Sequence, residues 1–271
     1  MTERKTIMKL TALPCLCADV FDGTGEIRPG GEALNFAAHA CTFAGMEVTL
    51  LGVIGQDAYG QAILDALADR PINTRHIRID PTQTTANNYT YLTPEGDRYY
   101  KPDSWNGRIL EDIRLTEEER RIIAASDVVF IHFWASCFQE VLALKKQHGF
   151  KLAVDFDVYR DFTHMAKLAP DIDFFMISGE EALLHHFRDY SACHDGLFNM
   201  SLGAAGSVTY HRGQEYRVTA EKVEAIVDTT GCGDSYHAGL VCSYMLHGDI
   251  TKAMQAGSRI AAVTLSHFGG F

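Results

Sequence analysis

Short continuous apolar runs alternate along this chain with amphipathic stretches, and no other feature constrains the fold as strongly. Leu10–Ala18 reads as a strand and Gly30–Ala44 as a helix, with Ala33, Ala37, Ala38 and Cys41 on one side. Val48–Ile54 and Ala58–Ala68 repeat the pair. Val128–Phe133, Phe138–Gln147, Leu152–Phe156, Phe174–Ile177 and Glu180–Tyr190 then read as strand, helix, strand, strand and helix. Strands separated by helices pair in parallel, because the crossover helix carries the chain back to the same edge of the sheet. Parallel strands buried on both faces read as unbroken apolar runs, as Val128–Phe133 and Phe174–Ile177 do. The pattern predicts an α/β fold with a mainly parallel central sheet.

One segment departs from this rhythm. Thr84–Tyr100 alternates around Tyr89 and Tyr91 and carries a Pro-Glu-Gly-Asp turn, so a β-hairpin is expected there. A hairpin inserted in an α/β fold either covers a site in the sheet crevice or forms a plain edge. No Pro/Gly/Ser-rich linker divides the chain, and residues 1–271 are taken as one domain.

The charge balance narrows the partners. The net charge is −11, and Lys and Arg are scattered, unlike the basic footprint of a nucleic-acid binder. The apolar stretch Val128–Phe138 is too short to span a bilayer. Pro14 interrupts the apolar start of the chain, which reads as a first strand rather than a leader. The seven Cys contain no C-x-x-C pair, as expected of reduced thiols in a cytoplasmic protein. Neither nucleic acid nor a membrane is expected as a partner.

The chemistry is concentrated in Asp228-Thr229-Thr230-Gly231-Cys232-Gly233-Asp234-Ser235, between the apolar Val223–Val227 and the helical Tyr236–Leu246. Glycines in a turn that opens a helix allow backbone N–H groups to converge on an anion, and the helix dipole adds to the attraction. A carboxylate at the mouth of such a pocket can accept a proton from an attacking hydroxyl. Read alone, Gly-x-Gly is a tight turn and Asp234 a cap; the whole string is more specific. It resembles the C-terminal signature of the ribokinase-like (PfkB-type) carbohydrate kinases, Asp-Thr-x-Gly-Ala-Gly-Asp, with Cys232 in place of Ala. Gly30-Gly31-Glu32-Ala33-Leu34-Asn35-Phe36-Ala37 resembles the family's Gly-Gly-x-x-x-Asn-x-Ala, and Gly52–Gly60 a further family pattern of mostly structural role. Ser201-Leu202-Gly203-Ala204-Ala205-Gly206 resembles Thr-Leu-Gly-x-x-Gly, and Ser178-Gly179-Glu180-Glu181 falls where the family has Asn-x-x-Glu.

The resemblance runs from Asp19 to Gly270. It implies a ribokinase-like three-layer αβα sandwich with a small β lid, formed by the hairpin at about 84–100 and an additional strand near 19–29. It implies ATP as phosphoryl donor with Mg²⁺. Asp234 would be the general base, with Gly231, Cys232 and Gly233 as the anion hole. Asp19 would hold the sugar together with Gly30, Gly31 and Asn35, Asp22 being the weaker alternative for Asp19. Ser201, Gly203, Gly206 and Thr230 would border the nucleotide. Glu181 would position Mg²⁺ through water, and Asp228 lies where some members hold a monovalent cation such as K⁺. Relatives often dimerise through the lid, so a homodimer is expected. The compact length, the Gly-Gly-Phe ending and Asp97–Tyr100 look most like the fructoselysine kinase subgroup, which phosphorylates a 6-hydroxyl; Arg98 would then meet a carboxylate of a sugar–amino-acid substrate. Two alternatives stand beside this reading: a kinase of the same fold for another sugar or a nucleoside, and a sugar- or nucleotide-binding regulator without turnover.

Overall fold

The structure, a computed structural model, describes residues 7–21, 24–92 and 98–271, with Leu92 and Arg98 described as backbone. Its first strand, β1 (Met8–Leu13), stops at Pro14, which has no N–H to offer a ladder. The chain then enters β2 (Cys17–Phe21) and β3 (Ile27–Gly30), which belong to a different sheet. The single strand expected over Leu10–Ala18 is thus two strands, and Asp19 sits in the second. After α1 (Glu32–Ala40) the run Val48–Ile54 is divided in the same way, into β4 (Met46–Leu50) and β5 (Gly52–Gly55). Next come α2 (Ala58–Leu67), β6 (Ile72–Asn73), β7 (Ile77–Asp80), β8 (Asn87–Leu92) and β9 (Arg98–Tyr100). The middle of the chain contains α3 (Glu117–Ala124), β10 (Val128–His132), α4 (Phe138–His148), β11 (Lys151–Asp155), α5 (Phe162–Leu168), β12 (Phe174–Ser178) and α6 (Leu184–Cys193). It closes with β13 (Leu197–Ser201), β14 (Ser207–His211), β15 (Gln214–Val218), α7 (Cys232–His247) and α8 (Ile250–Thr264).

The central sheet has nine strands in the order β15-β14-β13-β12-β11-β10-β1-β4-β6. It is parallel from β13 to β6 and antiparallel across β13, β14 and β15. Two apolar clusters cover its faces. On one side Phe138, Val141, Phe175 and Phe187 pack around α4 and α6, with Phe156 stacked on Phe175 at 4.1 Å. On the other, Leu34, Phe36, Leu240 and Met254 pack around α1, α7 and α8, with Phe36 stacked on Phe130 at 3.8 Å. This is a three-layer αβα sandwich.

A separate four-stranded sheet, ordered β3-β2-β8-β9, draws its strands from around 17–30 and 87–100. Asp57, the N-cap of α2, also accepts hydrogen bonds from the N–H and hydroxyl of Thr85 and so ties the glycine-flanked 52–60 segment to the base of β8. Tyr91 stacks on Tyr99 across β8 and β9 at 5.7 Å. The Pro-Glu-Gly-Asp turn and Asp22 lie outside the described residues. No helix among the described residues is long and apolar enough to cross a membrane.

Candidate active site

The C-terminal ends of β1, β10 and β11 open into a cleft of about 1310 Å³, roofed by the smaller sheet. Ligands of open α/β sheets bind at this edge, where the strands' carboxyl ends leave a crevice. Of the residues singled out in the sequence, Asp19, Gly31, Asn35, Gly231, Gly233 and Asp234 line it. They come from β2, α1 with the glycine preceding it, and the start of α7.

α7 begins at Cys232, earlier than the apolar pattern of Tyr236–Leu246 indicates, so Gly233 and Asp234 stand in its first turn. Val223–Val227 is irregular rather than a strand and is held by a bond from Val227 N–H to the Leu265 carbonyl. Gly231 is the helix N-cap with φ 67°, a conformation that favours glycine. A Cβ there would also come within 2.6 Å of Gly270 Cα. Among the described residues the N–H groups of Gly233 and Asp234 meet no backbone acceptor, as expected in a first helical turn, and are available to an anion. Cys232 differs from the expectation: its N–H turns back to the Thr229 carbonyl at 3.3 Å. Its neighbours are the better donors.

Asn35 Nδ2–H donates to Asp234 Oδ2 at 2.8 Å, joining α1 to α7 across 199 residues of sequence. Burial, together with the nearby charges of Glu32 and Asp155, pushes the Asp234 carboxyl up to about 7. The Asn35 bond and His237 pull the other way. A carboxylate tuned near neutrality is an effective general base.

Sequence reasoning missed the groups that surround this carboxylate. His237, one helical turn beyond Asp234, places Nδ1 3.3 Å from Asp155 Oδ2, and both residues are almost fully buried. Burial opposes the charged form of each, but their mutual attraction outweighs it, holding His237 above and Asp155 below its ordinary value. Glu32 and His132 face each other at 3.8 Å on the same cleft wall. Asp157 has φ 49°, unusual outside glycine, and its carboxyl is raised by burial and by the Asp155 charge. Trp105 and Trp134 line the cleft at its rim while 55% and 58% exposed. None of these carries a local signal. The exposed tryptophans alone could have been suspected from composition, since the chain has just two.

Other expected residues lie elsewhere. Gly30 abuts Asp19: a Cβ on it would stand 3.0 Å from Asp19 Oδ2, and Asp19 itself is buried. Glu181 lies outside the cleft lining, exposed, with both carboxylate oxygens on the Arg217 guanidinium. Asp228 is fully buried, with Oδ1 accepting from Thr230 N–H and Oγ1–H and Oδ2 accepting from Gly269 N–H. It clamps the Thr230 turn to Gly269 through these three hydrogen bonds. Among the described residues no group of three or more His, Cys, Asp or Glu could hold a metal ion. Ser201 ends β13 and donates to Ser178 Oγ at 3.1 Å, beside the open turn at Gly203, where a Cβ would meet nothing within 4 Å. Gly206 closes that turn with φ 96°. Arg98 lies on β9, and its side chain is outside the described part of the structure.

The family model for pfkB family carbohydrate kinases matches residues 22–270. The chain is 27% identical over 258 residues to a fructoselysine 6-kinase of Shigella flexneri, covering 94% of this chain and 96% of that one. It is 24% identical to a fructosamine kinase of Bacillus subtilis, covering 97% and 93%. The Arabidopsis thaliana ribokinase solved with ribose and ATP superposes with a TM-score of 0.80 over 97% of this chain and 94% of that one, at 17% identity. The shared architecture is the ribokinase-like fold.

Proposed function

The chain belongs to the pfkB family of carbohydrate kinases and is a sugar kinase, and from that premise we propose that it transfers the γ-phosphoryl group of ATP to the 6-hydroxyl of a fructosamine such as fructoselysine. The observation that carries the reading is the Asn35–Asp234 pair at the N-terminus of α7. It puts a carboxylate poised near neutrality within one helical turn of unpartnered backbone donors.

The chemistry follows from that juxtaposition. Asp234 accepts the hydroxyl proton as the oxygen attacks phosphorus, and Asn35 keeps the accepting carboxylate oriented. The N–H groups of Gly233 and Asp234 face the charge that develops on the transferred group, where fixed donors contribute most. Family membership brings ATP and, ordinarily, Mg²⁺. Since no group of three or more His, Cys, Asp or Glu among the described residues could hold it, the ion would be carried by the nucleotide's phosphates and would keep most of its water, which suits Mg²⁺. The Gly203 turn beside Ser201 is open, with nothing within 4 Å of an added Cβ, and we assign the nucleotide to that side of the site from the resemblance of 201–206 to the family pattern.

The substrate reading rests on the relatives and on the cleft. The cleft of about 1310 Å³ would be shared by the acceptor and the end of the ATP triphosphate, since Thr229, Gly231 and Gly233 line it together with Asp19 and Asn35. Carboxylates at Glu32, Asp103, Glu111 and Asp157 line it, which favours the ammonium of a fructosamine over a phosphosugar. Lys101, also in the lining, suits an amino-acid carboxylate. The exposed Tyr89, Tyr91 and Tyr99 of the lid sheet support a homodimer formed through the lid, a point sedimentation decides.

An ADP-release assay over fructoselysine, fructose, ribose and adenosine tests the proposal. The ketoamine should have the highest kcat/KM. A preference for ribose or adenosine would keep the kinase and remove the substrate; ligand-dependent melting with no ADP release on any acceptor would support a binding regulator.

A further inference from the structure

Gly269, Gly270 and Phe271 take no part in the proton transfer, yet they lie against the groups that do. We propose that segment 269–271 is a positioning strap whose backbone holds the Asn35 amide against Asp234 and fixes the Gly231 turn beneath it. This inference rests on Asp234 being the base.

The geometry is close on every side. A Cβ added to Gly270 would lie 2.5 Å from Asn35 Oδ1 and 2.9 Å from Asn35 Nδ2. A Cβ added to Gly231 would lie 2.6 Å from Gly270 Cα and 3.1 Å from Asn35 Nδ2. Two glycines thus back onto one amide and onto each other, and the amide is itself buried. Asn35 Oδ1 is buried with no hydrogen-bond partner, so no bond from that oxygen fixes the amide's orientation. Its Nδ2 bond to Asp234 and the glycine wall behind it are what remain.

The strap is anchored at three points. Gly269 N–H donates to Asp228 Oδ2 at 2.9 Å, and Asp228 in turn shapes the Thr230–Gly231 turn. His39 Nε2–H donates to the Gly270 carbonyl at 2.7 Å, from the same helix that carries Asn35. The Phe271 ring lies under the Arg70 guanidinium, 4.6 Å from its centroid, and packs against the core on the α1–α7 side. One short segment thus ties the helix bearing Asn35 to the turn that opens the helix bearing Asp234. A piece of chain that merely completed the packing would contribute to stability and leave the base untouched.

Gly270→Ala is the direct test, assayed with ATP and whichever acceptor the sugar panel returns. The added methyl displaces the Asn35 amide, so kcat should fall about tenfold or more while KM for ATP is unchanged. The acid limb of the kcat profile should move to higher pH. Asp234 would lose a hydrogen bond to its charged form while still facing Glu32 from α1, Asp155 from β11 and His237 from α7. In an Asn35→Ala background the same change should alter kcat by less than about twofold, because the methyl then has no amide to move. If Gly270→Ala does not fold, His39→Ala removes an anchor without adding an atom and should give the same shift, again suppressed by Asn35→Ala. Additive losses in the double variants, or an acid limb that does not move, overturn the strap. Retained turnover in Asp234→Asn overturns the base assignment and the strap with it, so the two failures are distinguishable.

Discussion

At the floor of the cleft Asn35 bonds Asp234 and is backed by Gly231 and Gly270, where an added Cβ would lie within about 2.6 Å of a neighbouring atom. At its rim, Trp105 and Trp134 stand more than half exposed on loops that follow the lid sheet and β10. The two regions border one cavity but are built for different tasks. The floor is assembled by close backbone approach, which fixes the direction of a carboxylate and a few N–H groups. The rim offers exposed aromatic area, with Trp134 set edge-on to Phe133 and Tyr159 at 5.2 and 5.3 Å. On the proposed function, chemistry that depends on angle and protonation would fall to the first and recognition that depends on area to the second.

The sharpest way to break this contrast is Asp234→Asn. Loss of the proton acceptor should lower kcat by on the order of 10²–10⁴-fold while ATP and sugar binding persist in calorimetry. A second readout separates the chemistry from the fold. Asp234 is raised from an ordinary value of 3.8 to about 7, so between those limits the native state keeps a proton that the unfolded state has released. Native stability therefore falls as pH rises through that window, and the neutral amide should raise the melting temperature at pH 8. A dead variant that melts lower than the wild type would argue for structural damage instead.

Gly231→Ala should be next in size. A side chain at φ 67° is strained, and the Cβ would collide with Gly270. A loss on the order of 1–3 kcal/mol in stability is expected from the backbone term alone, measured by urea unfolding. An equivalent effect from alanine at an open glycine such as Gly203, also at positive φ, would show that φ rather than the shared contact decides the outcome.

The pH profile divides the two regions directly. With Asp234 as base, kcat/KM should rise with pH through about 7 as the carboxyl loses its proton. Asn35→Ala should move that limb upward. Trp105→Ala and Trp134→Ala should leave it in place and instead raise KM for the sugar by about tenfold, near 1.4 kcal/mol of lost aromatic contact with an ammonium-bearing substrate. A shifted limb in either tryptophan variant would mean that rim and floor are one unit.

Legibility in the sequence followed the same division. The alternating fold pattern, the lid strands and the glycine strings around Gly31, Gly231 and Asp234 could be read because each is local. Glycines at a helix start constrain the backbone whatever lies far away. Asp155, His237, Glu32 and His132 could not be read, since β11, α7, α1 and β10 bring them together and no spacing in sequence records it. The apolar run through Pro14 was continuous in composition but not in hydrogen bonding, so two strands read as one. Arg217 enters from β15, an antiparallel strand with a polar face, and no spacing along the chain signals that it meets Glu181.

That last pair supports the smallest prediction. Glu181 sits in register with an acidic position of the family pattern, which argues for metal positioning, whereas its geometry argues for an exposed ion pair. The Arg217 guanidinium holds its carboxyl below the ordinary range, and both side chains face solvent. Exposed pairs of this kind contribute little, so Glu181→Gln should change kcat by no more than about twofold and leave the Mg²⁺ dependence as it was. A metal role has a different signature. If Glu181 orients water on Mg²⁺, the amide would lower kcat steeply, and higher Mg²⁺ would recover part of the loss. Arg217→Gln separates the two, because breaking the pair frees Glu181 without removing it. Activity gained at low Mg²⁺ in that variant would mean that the ion pair competes with a metal function, and the region behind Ser201 would then join the floor rather than the surface.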